Sequence, residues 1–326
     1  MNKILVISLV LCLAVGLSKS AATEPVEAVY GKIKINGLMQ WWYQYDSGST
    51  PKDTFRLRRA EIKLSGEIKP EVSWIIMIDP AQVREDTDRK SPLQDFVITL
   101  KPYKYFSIDF GQYKVPFGME GLESSAKLDF IERAALATQF KWADYRDIGF
   151  TLKGDFKVNN VKIQPQAGIF NGEGHNKLDV NEIKDFVGRL VIKPIETLHL
   201  GIAHYSGKSD KIKTDNYRTG GEIKFVQGSV SAYGEYATGK SGGKEKQTYY
   251  ISAGYKFSNS WQVVARYDWY DSDTTRKDDE KHESTIGLNY FIEKHNAKLQ
   301  LNYVYCGEKG RKIDNDVMRV NLQISF

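Results

Sequence analysis

The sequence predicts an all-β protein: a closed antiparallel transmembrane β-barrel of about 16 strands, with long extracellular loops, short periplasmic turns and an inward-folded third loop. Three observations predict it. Apolar and polar residues alternate with a period of two, in segments of about ten residues, along nearly the whole chain. The connections between segments alternate between tight turns and long polar loops. Aromatic residues make up 12% of the 326 residues, 19 of them tyrosine, yet mean hydropathy is only −0.45. A barrel strand shows lipid only every second residue, so its hydropathy signal is weak.

The first 22 residues read as a secretory signal. Asn2 and Lys3 give a short basic start, residues 4–17 an apolar run, and Ser20-Ala21-Ala22 a small-residue cleavage site. The run is shorter than the ~20 residues a spanning helix needs. Residues 23–326 then form a single barrel domain. The formal charge is +5, and cleavage would remove two lysines and no acid, which leaves +3. Charges of both signs are spread along the chain, which argues against a nucleic-acid partner. Of the two cysteines only Cys306 survives cleavage, so no intrachain disulfide forms.

The predicted strands are 30–46, 54–69, 72–79, 93–101, 105–112, 146–156, 161–170, 183–193, 197–206, 217–226, 229–238, 248–257, 261–271, 283–292, 297–306 and 317–326. The last is the cleanest: Met318, Val320, Leu322, Ile324 and Phe326 share one face, and Arg319, Asn321, Gln323 and Ser325 the other. The turns at 69–71, 101–104, 157–160, 193–196, 227–228, 258–260 and 293–296 carry Pro, Gly, Asn and Lys. The long class comprises 47–53, 80–92, 171–182, 207–216, 239–247, 272–282 and 307–316. Outward rings such as Trp41, Tyr43, Phe257, Trp261, Trp269 and Tyr290 fall near strand ends, as interfacial girdles do.

Residues 113–145 form the longest connection and include a helix-like stretch, 124–138. Val115, Phe117, Leu128, Phe130 and Ile131 need apolar cover, so the loop is expected to fold inward and constrict the lumen.

Alternation also assigns the lumen face. In the second strand Ala60, Ile62 and Leu64 face lipid, while Arg59, Glu61 and Lys63 face water. Phe55 and Leu57 are out of phase with Ala60, and a β-bulge near Arg58-Arg59 would repair this. It would bring Arg56, Arg58 and Arg59 into one basic cluster. Arg189, Arg218 and Arg266 are further lumen cations, and Lys114, Lys127, Arg133 and Lys141 come from the long loop. Rings of Arg and Lys favour anions in a constricted space. The alternative is that these charges are solvated and pair with lumen acids such as Asp109, Glu222, Glu235 and Asp268.

The segment Phe55-Arg56-Leu57-Arg58-Arg59-Ala60-Glu61-Ile62-Lys63-Leu64-Ser65-Gly66 resembles the second-strand motif of the phosphate-selective porin O and P family. Gly111-Gln112-Tyr113-Lys114-Val115-Pro116-Phe117-Gly118-Met119-Glu120, with Ser124-Ser125 and Phe130-Ile131-Glu132-Arg133, is similar to the start of that family's constriction loop. The terminal Phe326 resembles the assembly signal of outer-membrane barrels. The resemblance implies a sixteen-stranded homotrimeric porin in the bacterial outer membrane that passes small anions such as phosphate. The near-balance of lumen charge makes the expected preference modest.

The expected function is passive diffusion of small hydrophilic solutes through a water-filled channel, with no cofactor, metal or catalytic residue. The alternatives are a non-selective porin, an outer-membrane barrel enzyme, or a soluble β-protein that binds carbohydrate. The five histidines (175, 199, 204, 282 and 295) show no metal-site spacing, and no nucleophile elbow is present.

Overall fold

A computed structural model of the protein describes residues 26–27, 31–83, 91–209, 214–310 and 313–326. The predicted signal segment, 1–22, lies outside the described residues. Sixteen long strands build the wall. They are β1 (Lys32–Asp46), β2 (Asp53–Lys69), β3 (Val72–Ile78), β4 (Leu93–Tyr103), β5 (Phe106–Lys114), β6 (Arg146–Gly154, resumed as Phe156–Val158), β7 (Val161–Phe170) and β8 (Asp185–Ile195). The rest are β9 (Leu198–Ser209), β10 (Thr214–Gln227), β11 (Val230–Ser241), β12 (Lys244–Lys256), β13 (Trp261–Asp271), β14 (Lys281–Glu293), β15 (Ala297–Glu308) and β16 (Val317–Ser325). A two-residue strand, Val26–Glu27, adds to the start of β1.

Each strand pairs antiparallel with the next, and β16 returns to β1 with Val317 opposite Asp46 and Ser325 opposite Leu38. The sheet is therefore a closed cylinder with no free edge, the one β-architecture that leaves no backbone group unpaired in lipid. Side-chain placement is inverted relative to a water-soluble protein. Outward Leu57, Ile251 and Ile286 are 68%, 63% and 59% exposed, whereas inward Asn289, Lys298 and Gln323 are fully covered. Outward rings stack at both rims: Phe257, Trp261 and Tyr290 at the short-turn end, Trp41 with Phe55 and Tyr249 with Trp269 at the other.

Two sequence expectations need correction. The predicted long loop at 239–247 is a tight hairpin, because β11 and β12 stay paired until Ser241 meets Lys244. Gly242 and Gly243 both have positive φ, 64° and 77°. That is the conformation a two-residue hairpin turn requires, and glycine takes it without steric cost. The helix-like stretch at 124–138 is not one helix. The loop has two single-turn α-helices, α1 (Met119–Leu122) and α2 (Ala135–Thr138), with a short 3-10 turn at Ser125–Lys127 and irregular backbone between them. Apart from the Lys127 N–H to Ser124 carbonyl bond of that turn, the intervening backbone is held by side chains of the barrel wall.

Candidate functional site: the constriction loop and the opening beside it

The bulge expected in β2 is present. Gln40 faces Arg59, but the next residue of β1, Trp41, faces Leu57, so Arg58 has no cross-strand partner. One extra residue turns two successive side chains the same way. Leu57 and Phe55 thus stay outside while Arg56, Arg58 and Arg59 all point inward. Arg56 and Arg58 lie over the buried Trp42 ring, at 5.8 and 5.2 Å. Arg59 donates to Gln40 Oε1 at 2.6 Å and pairs with Glu61. Lys63 is half-buried on the same face, nearer the short-turn rim.

Residues 115–145 leave β5, cross the lumen and return to β6. Where the two limbs pass, Gly118 and Gly121 leave no room for a side chain: a Cβ would lie 2.8 and 2.5 Å from the Ala143 methyl. Phe117, Leu136, Phe140 and Trp142 pack against Phe170, Tyr205, Ala237 and Tyr270 of the wall, a dry core inside the barrel. The wall from β9 to β16 holds the loop by its polar groups as well. The Glu235 carboxylate accepts the Met119 and Glu120 N–H groups at 2.6 and 2.8 Å, which caps α1. Asp268 accepts from Ala135 N–H at 2.9 Å and Asn302 from Ile131 N–H at 2.8 Å. Lys298 Nζ donates to the Leu128 carbonyl at 2.6 Å.

This arrangement divides the cations named from the sequence. Arg266 pairs with Asp268 at 2.6 Å and Glu120 at 3.4 Å, donates to the Glu132 carbonyl at 3.0 Å, and lies over Phe130. Arg133 is buried, bonds to the Glu120 and Glu123 carbonyls, and pairs with Asp144. Lys114 donates to the Gly121 carbonyl at 2.7 Å and pairs with Asp144 at 2.8 Å. Arg218 is buried beneath Phe117 and Tyr145, with Tyr205 3.5 Å away. Arg189 is buried against Glu222, which also bonds His199 at 2.7 Å. These five brace the loop and wall. Lys127 is exposed, beside a smaller notch on the short-turn side of the loop.

The opening lies between the loop and the wall from β2 to β6. It is a cavity of about 350 Å³ whose charged lining is Arg58, Arg133, Lys141 and Arg146 against Glu132 and Asp144. Glu132 pairs with Arg58 at 3.5 Å. Burial pushes its carboxyl up, but Arg58, Arg59 and Arg319 outweigh that and hold it at about 2. Asp144 also resists burial and is held well below the usual aspartate range by Lys114, Arg133 and Arg146. Sequence reasoning misses Arg146 and Asp144 as site residues. By alternation Arg146 belongs with Ile148 and Phe150 on the outer face. At the first residue of β6 the rule lapses, and the guanidinium reaches inward to Asp95 at 2.7 Å.

The model of the family described as phosphate-selective porin O and P matches residues 33–217 and 209–326. No curated protein matches the sequence. Among solved structures, the chain is similar to OmpF of Salmonella typhi in complex with daunomycin (13% identity, 93% of this chain and 100% of that one covered, TM-score 0.69). The outer-membrane channel DcaP of Acinetobacter baumannii gives 13% identity, 92% and 99% coverage, and a TM-score of 0.66. An anion-selective porin from Comamonas acidovorans gives 11% identity, 91% and 100% coverage, and a TM-score of 0.66. At such identities the likeness speaks for the sixteen-stranded fold alone. The family match covers nearly the whole barrel, and on it the chain belongs to the phosphate-selective porin O and P family and is an outer-membrane porin.

Proposed function

We propose that this porin passes small hydrophilic solutes by passive diffusion with a modest preference for anions, phosphate among them. One observation carries the reading: four cationic and two anionic side chains line the opening beside the loop. The wall side supplies Arg58 and Arg146, and both carboxylates come from the loop. A small anion is attracted there, but the loop acids offset part of the attraction in a confined space. Arg56, Arg58 and Arg59 are the wall residues assigned to this role, with Lys63 and Lys127 further along the path. Lys114, Arg189, Arg218 and Arg266 act on the solute only through the position of the loop and wall, whereas Arg133 both braces the loop and lines the opening. Transport by this route involves no covalent step, so the protein acts as a channel and not as an enzyme.

The assembly is proposed to be a homotrimer. Support comes from a structural relative, OmpT of Vibrio cholerae, whose in-vitro folded protein is recorded in a trimer form. Cleavage after Ala22, leaving 23–326 as one domain, belongs to the same reading and is checked by N-terminal sequencing. The central test is the reversal potential across a salt gradient in planar bilayers. The expected sign is anion-selective. A cation-selective native channel overturns the preference, and an absence of ohmic conductance overturns the pore.

A further inference from the structure

Inside the barrel, one level of the wall carries uncharged amides. Gln262 on β13, Asn289 on β14, Gln300 on β15 and Asn321 on β16 stand directly opposite one another in the strand register. Their side chains bond head to tail. Asn321 donates to Gln300 Oε1 at 2.9 Å, Gln300 to Asn289 Oδ1 at 3.0 Å, and Asn289 to Gln262 Oε1 at 3.0 Å. All four are buried. A water-filled lumen does not by itself cover four adjacent amides, so something lies on them. It is the tip of the long loop, held by its backbone.

Asn289 and Gln300 both donate to the Asp129 carbonyl, at 2.8 and 3.0 Å. Lys298 donates to the Leu128 carbonyl, and Gln323, one step along β16, donates to the Ala126 carbonyl at 2.9 Å. The base of the loop is held differently. There Lys114, Arg133 and Arg146 converge on Asp144, and Arg266 on Glu120 and Asp268.

We propose that this amide ladder, with Lys298 and Gln323, is a latch that positions the loop tip and so sets the geometry and selectivity of the opening. The members are positioning residues: none lines the opening, Asn289, Gln300, Lys298 and Gln323 act through the loop carbonyls they hold, and Gln262 and Asn321 act by orienting Asn289 and Gln300. Head-to-tail amides fix one another's orientation, so the donors are aimed before the loop arrives. Because the amides are neutral and recognise backbone, their grip, unlike that of the charged Lys298, is independent of salt and of the side chains at the tip. The ionic base has neither property.

The proposal rests on the pore reading, and a conductance measurement separates the two. Gln300→Leu replaces one neutral side chain by another, so it has no charge with which to alter selectivity directly. A moved reversal potential then reports a moved loop. The expected result is a change in anion-to-cation permeability ratio of about twofold, as charges at the opening shift by ångströms, with several-fold greater current noise. Thr248→Val is the control, since Thr248 is buried and bonds only the Trp269 carbonyl of the neighbouring strand. It should leave both readings native.

Should Gln300→Leu fail to fold, Lys298→Met decides. It exchanges a buried cation, whose desolvation is costly, for an apolar chain of similar length. Current noise is the quantity to read there. Folded variants with native noise and native reversal potential overturn the latch and leave the pore reading standing. A native protein that conducts no current overturns the pore reading, and the latch with it.

Discussion

From β9 to β16 the wall carries the polar groups that hold the loop tip and α1, such as Glu235, Asp268, Lys298 and Asn302, whereas from β2 to β6 it carries Arg58 and Arg146, which line the opening. The two stretches look alike in sequence. Arg266 on β13 and Arg58 on β2 are both inward arginines on strands of the same pattern. Yet Arg266 touches Asp268, Glu120, two loop carbonyls and the Phe130 ring, and Arg58 touches one glutamate and one indole. The difference lies in which wall the loop leans on. A lumen charge is a selectivity element only where nothing else has claimed it.

The comparison breaks most visibly at Arg266. Replacing it by methionine strands Asp268 and Glu120 in a buried site and removes the support of the Glu132 and Arg133 carbonyls. Removing one partner of a buried pair costs about 3–5 kcal/mol, and we expect the loop to bear most of it. Urea unfolding in detergent, followed by tryptophan fluorescence (Trp142 reports the loop core), should show a lost or early loop transition. The channel should conduct more, with more noise. A variant with native stability and native conductance would mean that the loop is held elsewhere.

How much of this division can be read in the sequence? The strands, their order, the bulge at Arg58 and the inward loop can, because alternation and turn chemistry are local. The loop-bound and open halves cannot, because they depend on where residues far apart in sequence meet. Asn302 and Ile131 are 171 residues apart, and Glu235 and Met119 are 116 apart. Local pattern also fails at strand ends. Arg146 reads as lipid-facing and lies inside, and the 239–247 region reads as a loop and is paired strand on either side of a two-residue turn. A period of two names the face of a residue without saying what waits on that side.

The next effect is smaller in stability and larger in selectivity. Arg58→Ala should cost less than Arg266→Met, because Glu132 keeps Arg59 and Arg319 nearby. It should still move the reversal potential clearly towards cations, since it leaves Glu132 facing the opening without its partner. Arg59→Ala should move it less: Arg59 lies behind, 5% exposed and bonded to Gln40. Equal shifts for the two variants would argue that distance to the opening does not matter and that the cluster acts only as net charge.

The smallest expected effect sharpens the comparison through pH. Glu132 has its folded pKa lowered from 4.5 to about 2. A lowered carboxyl favours folding fully above its unfolded value, near 4.5, and that contribution disappears as pH falls through about 2. The charge follows the same window. Between about pH 5.5 and 3 both Glu132 and Asp144 stay ionised, so the permeability ratio should change little there, unlike a lumen with free carboxylates. Below about pH 3, neutralising Glu132 leaves Arg58 unopposed, and anion preference should rise. The measurement is reversal potential against pH on the open channel. A clear step near pH 4.5, absent in Glu132→Gln, would mean that Glu132 faces water without its arginine and that the open half of the wall is looser than the geometry makes it.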